Sequence, residues 1–518
     1  MRLEPLVESR KVHVALIILI TIAAYANTIQ SPFFFDDHDF ILNWEKTRTF
    51  ASIPDFFAGE LPQAQEGVYR PLRSIYYTIA YHLFGLSSAG YHLQSIIIHS
   101  IASLLAYAII SRILRNAGAA LAGGLFFAVH PLHTEAVNTL AASFDIIGCI
   151  WYLLAFYLYI RYREDERERK WLAISIMSAM LAFFSYEIAL TLPLMLLLYD
   201  LCFRRLAWKN SLKESLRYLP YAAGIITYLF IRFVLLDITS RGQYLAGSFY
   251  HTMLASMQAV ALYLGLTLLP IGLNFIHILP GGISTYTYAD HNTGAILAQS
   301  LFSPQVLIAM VIITACAAIA LLSWRKHPML AFSIGWFFIA IAPVLNIIPQ
   351  ATLITEYHLY LALFGFCLIA AHLFSSRLFL AKVAGTKGAK IAAMAIAVLL
   401  ILSYTALTID RNRDYQDEEQ FWEITVGGAK DSALAHGSLG IVYSDKGKVD
   451  EAITEFTRAL AINPGYADIH NNLGVAYGKK GQYEKAIEHI TTAISLQPER
   501  AAYYDNLKIA QSLTDKAR

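Results

Sequence analysis

The chain has 518 residues, of which 57% are hydrophobic and 15% are charged, with a formal net charge of +2 and a mean hydropathy of +0.48. Soluble domains carry about 25% charged residues, so this composition places most of the chain in lipid. The balanced charge gives no reason to expect a nucleic-acid partner. All four cysteines lie inside apolar runs, which indicates small core residues rather than a disulfide framework or a zinc site.

The first apolar run, 12–26, follows the basic residues Arg10 and Lys11. Residues 24–26 resemble a signal-peptide cleavage site, because small residues flank the central one. The many apolar runs that follow favour a retained first membrane helix instead. Under either interpretation, residue 36 lies outside the cytoplasm.

An acidic segment, residues 34–40, follows this run and contains Asp36, Asp37, His38 and Asp39. Ionised side chains are costly in hydrocarbon, so they gather where a membrane protein meets water or performs chemistry. One interpretation is a solvated loop that ends the helix. The other is an active-site carboxylate pair.

The rest of the first 409 residues alternates between polar links and apolar runs. Residues 75–86 are aromatic and amphipathic, which predicts a helix lying in the membrane interface. Membrane helices are predicted at 91–112, 119–138, 143–160, 171–185, 188–203, 219–236, 251–272, 304–323, 329–348, 357–376 and 390–408.

The distribution of Lys and Arg predicts the orientation, because these residues favour cytoplasmic loops. Basic residues at Lys213 and at Arg325 both belong inside, yet three apolar runs lie between them. One of the three must therefore lie in the interface or re-enter, and 251–272 is our candidate. Eleven crossings then place both the acidic segment and the C-terminus outside the cytoplasm.

At about residue 410 the composition becomes charged and a self-similarity with a period of 34 residues begins. The matched pairs are Leu439 and Leu473, Gly440 and Gly474, Tyr443 and Tyr477, Gly447 and Gly481, Ala452 and Ala486, Ala459 and Ala493, and Pro464 and Pro498. This is the tetratricopeptide pattern. It predicts two domains: a multi-pass membrane domain over 1–409, and over 410–518 a half repeat, two full repeats and the start of a third.

Trp422, in the half repeat, stands where Phe456 stands in the first full repeat. Stacked repeats form a concave surface that commonly binds peptide segments, and the charges here are mixed, as on a solvated face. We interpret the repeats as a module that binds a peptide or protein partner, or presents an acceptor, without catalytic residues.

Several motifs in order along the chain resemble one family. They are Phe35-Asp36-Asp37, Tyr69-Arg70-Pro71-Leu72, Gly90-Tyr91-His92-Leu93, His130 to Val137, Glu187 to Pro193 and Glu356 to Leu361. Together with the repeats, they resemble the transmembrane and tetratricopeptide-repeat O-mannosyltransferases and their prokaryotic relatives. The resemblance implies an all-α fold, in which a polytopic membrane helix bundle of the C-type glycosyltransferase kind precedes a tetratricopeptide α-solenoid.

The resemblance also implies transfer of a sugar, typically mannose, from a polyprenyl-phosphate donor to a protein or glycan hydroxyl on the outer face. An inverting displacement needs one carboxylate base near the acceptor, and a phosphate leaving group departs without a general acid. Asp36 or Asp37 would be that base, with Asp37 marginally preferred. Arg70 would offset charge on the phosphate, or alternatively pair with an acidic neighbour to hold its loop. No cofactor is required by this chemistry.

A second polar cluster comprises His130, His133, Glu135 and Asp145. It is expected to shape the donor or acceptor pocket. Two alternatives remain: a hydrogen-bonded network that caps two helices, and a divalent metal on His130, His133 and Glu135.

Two motifs depart from the family. Tyr186-Glu187 stands where relatives usually have Lys-Glu, and Glu356-Tyr357-His358 where they usually have Glu-Arg-Tyr. Glu187, Glu356 and Tyr357 remain expected substrate-binding residues, but two cations that suit a phosphate are lost, and a tyrosine hydroxyl brings no charge. Three arginines are candidates to replace them: Arg48, Arg232 and Arg241.

Two other functions are open at this point. One is a catalytically silent scaffold whose repeats recruit partners to the membrane, which the lost cations favour. The other is a transporter of lipid-linked sugars, for which an internal repeat of the membrane domain is expected but not visible in the sequence.

Overall fold

The computed structural model describes residues 9–60, 67–204, 215–239, 242–280, 282–284, 293–350, 352–375 and 387–517. Helices of eight or more residues are numbered in chain order. In the membrane domain they are α1 Arg10–Tyr25, α2 Pro71–Phe84, α3 Ser88–Leu114, α4 Ala117–Val129, α5 Ser143–Glu164, α6 Arg169–Phe183, α7 Leu192–Tyr199, α8 Leu219–Phe230, α9 Phe249–Leu268, α10 Pro304–Ser323, α11 Pro328–Ile341, α12 Leu359–Ser375 and α13 Lys387–Arg413. In the repeats they are α14 Glu418–Gly428, α15 Ala433–Asp445, α16 Val449–Ile462, α17 Ala467–Lys479, α18 Tyr483–Leu496 and α19 Ala501–Ala517.

Shorter elements connect these helices. Short α-helices occur at Ile53–Phe57, Thr134–Asn138 and Thr293–Leu297, and the strands β1 Ile278–Leu279 and β2 Ile283–Ser284 pair antiparallel. An all-α fold with a membrane bundle followed by helical repeats is therefore confirmed. Seven of the described helices are long and apolar enough to cross a membrane, and Ala117–Val129, Leu219–Leu235 and Pro328–Val344 are shorter apolar helices.

One predicted boundary is wrong. The run 119–138 was expected to be a single span, but α4 ends at Val129. His130 is extended (φ −70°, ψ 127°) because it precedes Pro131, and the ring of a proline disfavours the helical region for the residue before it. The chain then makes the 3₁₀ turn Pro131–His133 and the short helix Thr134–Asn138.

Close helix packing holds α1 against the bundle. Gly124 of α4 has no side chain, and a Cβ there would lie 2.8 Å from Tyr107 and 3.1 Å from Ile17 of α1. Small residues let membrane helices approach closely in this way. The His13 ring of α1 also lies 3.0 Å from the Tyr107 hydroxyl. These contacts agree with a retained first helix.

The bundle has two distinct ends. The loop-rich end carries residues 26–60, 130–142 and 352–358, whereas the links 115–116 and 165–168 lie at the opposite end. There, the Tyr218 hydroxyl donates to Asp200 (2.8 Å), which ties the start of α8 to the end of α7. The Trp324 indole donates to Leu201 (3.2 Å), which brings the end of α10 to the same place.

The helix α9 lies along the loop-rich end. It is long enough to cross, yet its polar contacts all along its length reach loops at that one end. They are Ser256 Oγ to Leu345 O (2.8 Å), Tyr263 OH to Thr355 O (3.2 Å) and Thr267 O to His130 Nε2 (3.3 Å). That 251–272 does not cross stays a prediction.

The repeats form helical hairpins with the expected small-residue contacts. A Cβ at Gly440 would lie 2.6 Å from the Phe456 ring, and one at Gly474 would lie 2.6 Å from Ile490. Glycine at these positions therefore lets the helices of each pair pack at close range. The helices α15–α16 and α17–α18 are the two full repeats, α14 precedes them, and α19 follows.

Eleven crossings predict that the repeats lie outside the cytoplasm. Alkaline phosphatase fused after Arg518 should be active, and green fluorescent protein fused there should be dark, because the first folds only outside and the second only inside. A fusion truncated after Glu168, at the opposite end of the bundle, is the control and should show the reverse. A fluorescent protein after Arg518 would mean that α9 crosses as well.

Candidate active site

The acidic segment begins with a tight turn. Asp37 N donates to Phe34 O (3.0 Å) and His38 N to Phe35 O (3.1 Å), after which His38–Leu42 forms a π-helical turn. Phe35 has a positive φ of 49°, a region that bulky residues rarely enter. The turn around Asp36 is therefore a constrained conformation that its surroundings must hold.

Asp37 fastens this turn to the loop before α5. Its carboxylate is fully buried and accepts hydrogen bonds from Ala141 N (2.6 Å) and Phe34 N (3.3 Å). Burial raises the pKa of Asp37 to about 8, although these hydrogen bonds oppose the shift. Asp36 is half-buried, and Asp39 is exposed.

Arg70 pairs with Glu187, which was one of its two expected roles. Its Nε lies 2.7 Å from Glu187 Oε2, and Arg232 Nη1 lies 3.2 Å from the other carboxylate oxygen. Arg232 Nη2 also donates to Gly67 O (2.8 Å). Burial on its own would raise the pKa of Glu187, but the two guanidinium groups hold it below its ordinary value. Glu187 therefore partly neutralises both arginines.

Arg73 is a further cation that sequence reasoning missed. Its side chain is fully buried, with the guanidinium carbon 4.3 Å from the centre of the Phe40 ring and 5.6 Å from that of Phe144. None of its three guanidinium nitrogens has a hydrogen-bond partner among the described residues. Burial lowers the pKa of Arg73 to about 10. A signal did exist, because residues three apart on a helix share a face, and Arg73 follows Arg70 by three.

The Phe144 ring is the centre of this part of the site. Arg70 lies 3.8 Å above it, while the rings of Tyr186 and Tyr357 lie 5.0 Å and 5.9 Å from it. Tyr186 and Tyr357 thus meet at one ring. Asp145, next in the chain, is 1% exposed and interacts electrostatically with Arg70.

Glu356 lies close to three partners from two other segments. Its Oε1 accepts from Asn274 N (2.8 Å) and lies 2.9 Å from His277 Nε2, and its Oε2 lies 4.0 Å from Arg411 Nη2. None of these three partners was singled out from the sequence. They come from the α9–β1 loop and the end of α13, so only the fold brings them together.

Glu135 lies beside this carboxylate. Its Oε2 accepts from Tyr357 N (3.1 Å), and burial together with the Glu356 charge raises its pKa well above the ordinary value. Because the Tyr357 ring also contacts Phe144, the Glu135–Glu356 pair adjoins the arginine site.

The histidines bond to the main chain. His130 Nδ1 accepts from Leu132 N (3.3 Å), and His133 Nδ1 lies 2.8 Å from Phe127 O. Burial lowers the pKa of His130 to about 3 and that of His133 well below its ordinary value. Such main-chain contacts are the kind expected of a capping network, and a role of these histidines in a pocket stays a prediction. Across the described residues, no group of three or more His, Cys, Asp or Glu side chains is arranged to hold a metal.

The three candidate replacement arginines have different positions. Arg232 belongs to the site, as described above. Arg48 donates to Leu42 O (2.9 Å) and pairs with Glu45 (3.1 Å), so it supports its own loop. Arg241 lies outside the described residues.

Comparison with known proteins agrees with these features. A family model for dolichyl-phosphate-mannose-protein mannosyltransferases matches residues 71–234, and tetratricopeptide-repeat models match 440–481 and 467–500. Protein O-mannosyl-transferase Tmtc1 of Drosophila melanogaster is 36% identical over 186 residues, 34% of this chain and 21% of that relative. Protein O-mannosyl-transferase TMTC4 of Homo sapiens is 24% identical over 490 residues, 84% of this chain and 64% of the relative.

A protein O-mannosyl-transferase of Caenorhabditis elegans is 25% identical over 478 residues, 87% of this chain and 63% of that relative. The chain therefore spans less than two thirds of the length of each of these relatives. The fold and the order of motifs define a multi-pass membrane protein of the C-type glycosyltransferase architecture. Within that class, the chain is similar to the transmembrane and tetratricopeptide-repeat O-mannosyltransferases, as the matched family models and these relatives indicate.

The buried Asp37 predicts a pH-dependent stability. With its pKa raised from 3.8 to about 8, the folded protein keeps a proton that the unfolded chain loses. Its contribution to stability is therefore greatest below about pH 4 and is lost as the pH rises to about 8. The melting temperature in detergent should fall less between pH 5 and pH 8 in Asp37→Asn than in the wild type. Equal falls in both proteins would contradict the assignment.

Proposed function

We propose that this chain transfers a hexose, mannose by analogy with its relatives, from a polyprenyl-phosphate donor to a protein or glycan hydroxyl on the non-cytoplasmic side, with inversion at the anomeric carbon. The observation that carries the proposal is the contact of the acidic segment with Arg73, which shares the Phe144 ring with Arg70, at one end of a membrane helix bundle. A polyprenyl tail belongs in the lipid beside such a bundle, and its phosphate belongs at the bundle's polar end. The names of the relatives and the matched family model support the choice of sugar and donor class.

The base in this proposal is Asp36 rather than Asp37. Both oxygens of Asp37 are engaged by main-chain amides, and the group is fully buried with a raised pKa, so it is poorly placed to accept a proton from a substrate. Asp36 is half-buried and one residue away. A base must reach the acceptor hydroxyl within hydrogen-bonding distance.

In the reaction, the acceptor oxygen attacks the anomeric carbon as its proton passes to Asp36. The new bond forms between that oxygen and the anomeric carbon. The bond from the anomeric carbon to the phosphate oxygen breaks, and the polyprenyl phosphate leaves with the electron pair. Attack on the face opposite the leaving group inverts the anomeric configuration.

Arg73 would offset the charge on the departing phosphate, with Arg70 beside it. Arg70 and Arg232 share the Glu187 carboxylate, whereas the guanidinium donors of Arg73 have no hydrogen-bond partner among the described residues. An unpartnered buried charge is costly, and a bound phosphate would supply the missing acceptors. A guanidinium can present two parallel N–H groups to one phosphate.

Asp36→Asn should abolish transfer, since loss of a positioned base typically costs about 10²–10⁴-fold in rate. The measurement is transfer of radiolabelled sugar from polyprenyl phosphate to acceptor protein by purified chain in lipid. Asp39→Asn is the matched control, because Asp39 is an exposed carboxylate in the same segment, and it should leave the rate unchanged. Near wild-type transfer by Asp36→Asn would remove this residue from catalysis, and a wild-type chain inactive with every such donor would favour the silent scaffold.

Arg73→Gln should raise the KM for the donor by roughly tenfold or more, the usual value of a charge-assisted hydrogen bond. Arg73→Lys should recover part of the loss, because it restores the charge but not the planar fork. Arg413→Gln, at an exposed position at the same end of the bundle, is the control. An unchanged KM and kcat in a normally folded Arg73→Gln variant would contradict the phosphate role.

A further inference from the structure

Two phenylalanines immediately before Asp36 pack against the first helix of the repeats. The Phe34 ring lies 5.0 Å from that of Phe421 and 5.6 Å from that of Tyr415, centre to centre. The Phe35 ring lies 5.4 Å from that of Trp422, edge to face. The acidic segment and α14 are thus in direct contact, although they are almost 400 residues apart in the chain.

Phe275, from the loop after α9, completes this contact. Its ring lies 5.4 Å from Phe35, 5.3 Å from Phe421 and 5.7 Å from Trp422. We call these five residues (Phe34, Phe35, Phe275, Phe421 and Trp422) the aromatic bridge. Of the five, all but Phe35 are at most 3% exposed, and Phe35 is half-buried. Aromatic pairs in such geometries contribute about 0.5–1.5 kcal/mol each beyond the area they bury.

Two residues of the aromatic bridge also form the turn around Asp36. Phe34 O and Phe35 O accept the two main-chain hydrogen bonds of that turn, and Phe35 has the positive φ of 49°. A non-glycine residue persists in that region only when its surroundings over-determine it. The Phe35 side chain contacts the rings of Phe275 and Trp422. These two contacts help to hold Phe35 in its positive-φ conformation.

A polar contact reinforces the same junction. Asn274 Nδ2 donates to Thr425 O of α14 (3.4 Å). Gly428, also in α14, packs so closely on Asn274 that any side chain at position 428 would collide with it. The loop that supplies Phe275 is therefore tied to α14 as well. In addition, the main-chain N–H of Asn274 donates to Glu356 (2.8 Å), which links this loop to the second carboxylate cluster.

We infer that α14 is a positioning element of the active site: through the aromatic bridge, the first helix of the repeats holds the backbone turn that presents Asp36. The repeats then contribute to catalysis without supplying a reacting group. The effect on transfer depends on the proposed function, whereas the ordering of the acidic segment by α14 does not.

The chain offers a matched pair of variants. Trp422 and Phe456 occupy equivalent positions one repeat apart, and both are fully buried, but Phe456 packs on Gly440 inside the repeats rather than on the acidic segment. Trp422→Leu and Phe456→Leu therefore remove comparable core rings, of which only Trp422 belongs to the aromatic bridge. Trp422→Phe is the conservative variant, and Phe35→Leu removes the same contact from the other side.

The test measures amide hydrogen exchange of the peptide covering residues 33–42, together with transfer kinetics, on the full chain in lipid. Trp422→Leu and Phe35→Leu should speed exchange of that peptide and lower kcat by about tenfold or more, since a small misplacement of a reacting group is costly, while KM for the donor stays near the wild-type value. Phe456→Leu should change neither quantity, and Trp422→Phe should restore most of both.

Unchanged exchange in Trp422→Leu and Phe35→Leu would overturn the inference, as would equal effects of Trp422→Leu and Phe456→Leu. Faster exchange with an unchanged kcat would overturn the catalytic part. If the wild type transfers no sugar, the proposed function fails, and the exchange data by themselves still decide whether α14 orders the acidic segment.

Discussion

The hydrogen bond from Ala141 N to the buried Asp37 carboxylate joins the two halves of the candidate site. It fixes the turn after α1 against the loop before α5, so Asp36 lies close to the helix that carries Phe144 and Asp145. A buried carboxylate keeps such a position only when main-chain donors satisfy it. In the function that we propose, Asp37 therefore has a structural role, and the neighbouring Asp36 is the base.

Around Phe144, three arginines lie near a single paired carboxylate, Glu187. Arg70 and Arg232 share Glu187, and Arg73 lies against aromatic rings instead of a carboxylate. The rings of Tyr186 and Tyr357 lie beside the same Phe144 ring. Additional cations there would stand close to Arg70 and repel it. In the function that we propose, the phosphate is held by Arg73, whose guanidinium nitrogens have no hydrogen-bond partner among the described residues.

The repeats and the membrane domain share one polar and aromatic junction. Asn412, near the end of α13, donates to Ala24 O (2.8 Å) and contacts Asn138 (2.8 Å), which brings α1, α13 and the Glu135 loop together. A few residues later, α14 packs on the acidic segment. The composition of the chain changes near residue 410, but the repeats and the membrane domain pack against each other across this position.

The sequence by itself determined what short-range physics specifies. The apolar runs defined the membrane helices, the 34-residue period defined the repeats, and the charge of Asp36 and Asp37 marked the end of α1 as a place for chemistry. Only the tertiary structure decided the roles within the site, because these depend on partners distant in the chain. Asp37 bonds to Ala141, Glu187 pairs with Arg70 and Arg232, and the Arg73 guanidinium has no hydrogen-bond partner in the part of the chain that the structure describes. Burial and pairing of this kind arise from long-range packing, and no local pattern of residues encodes them.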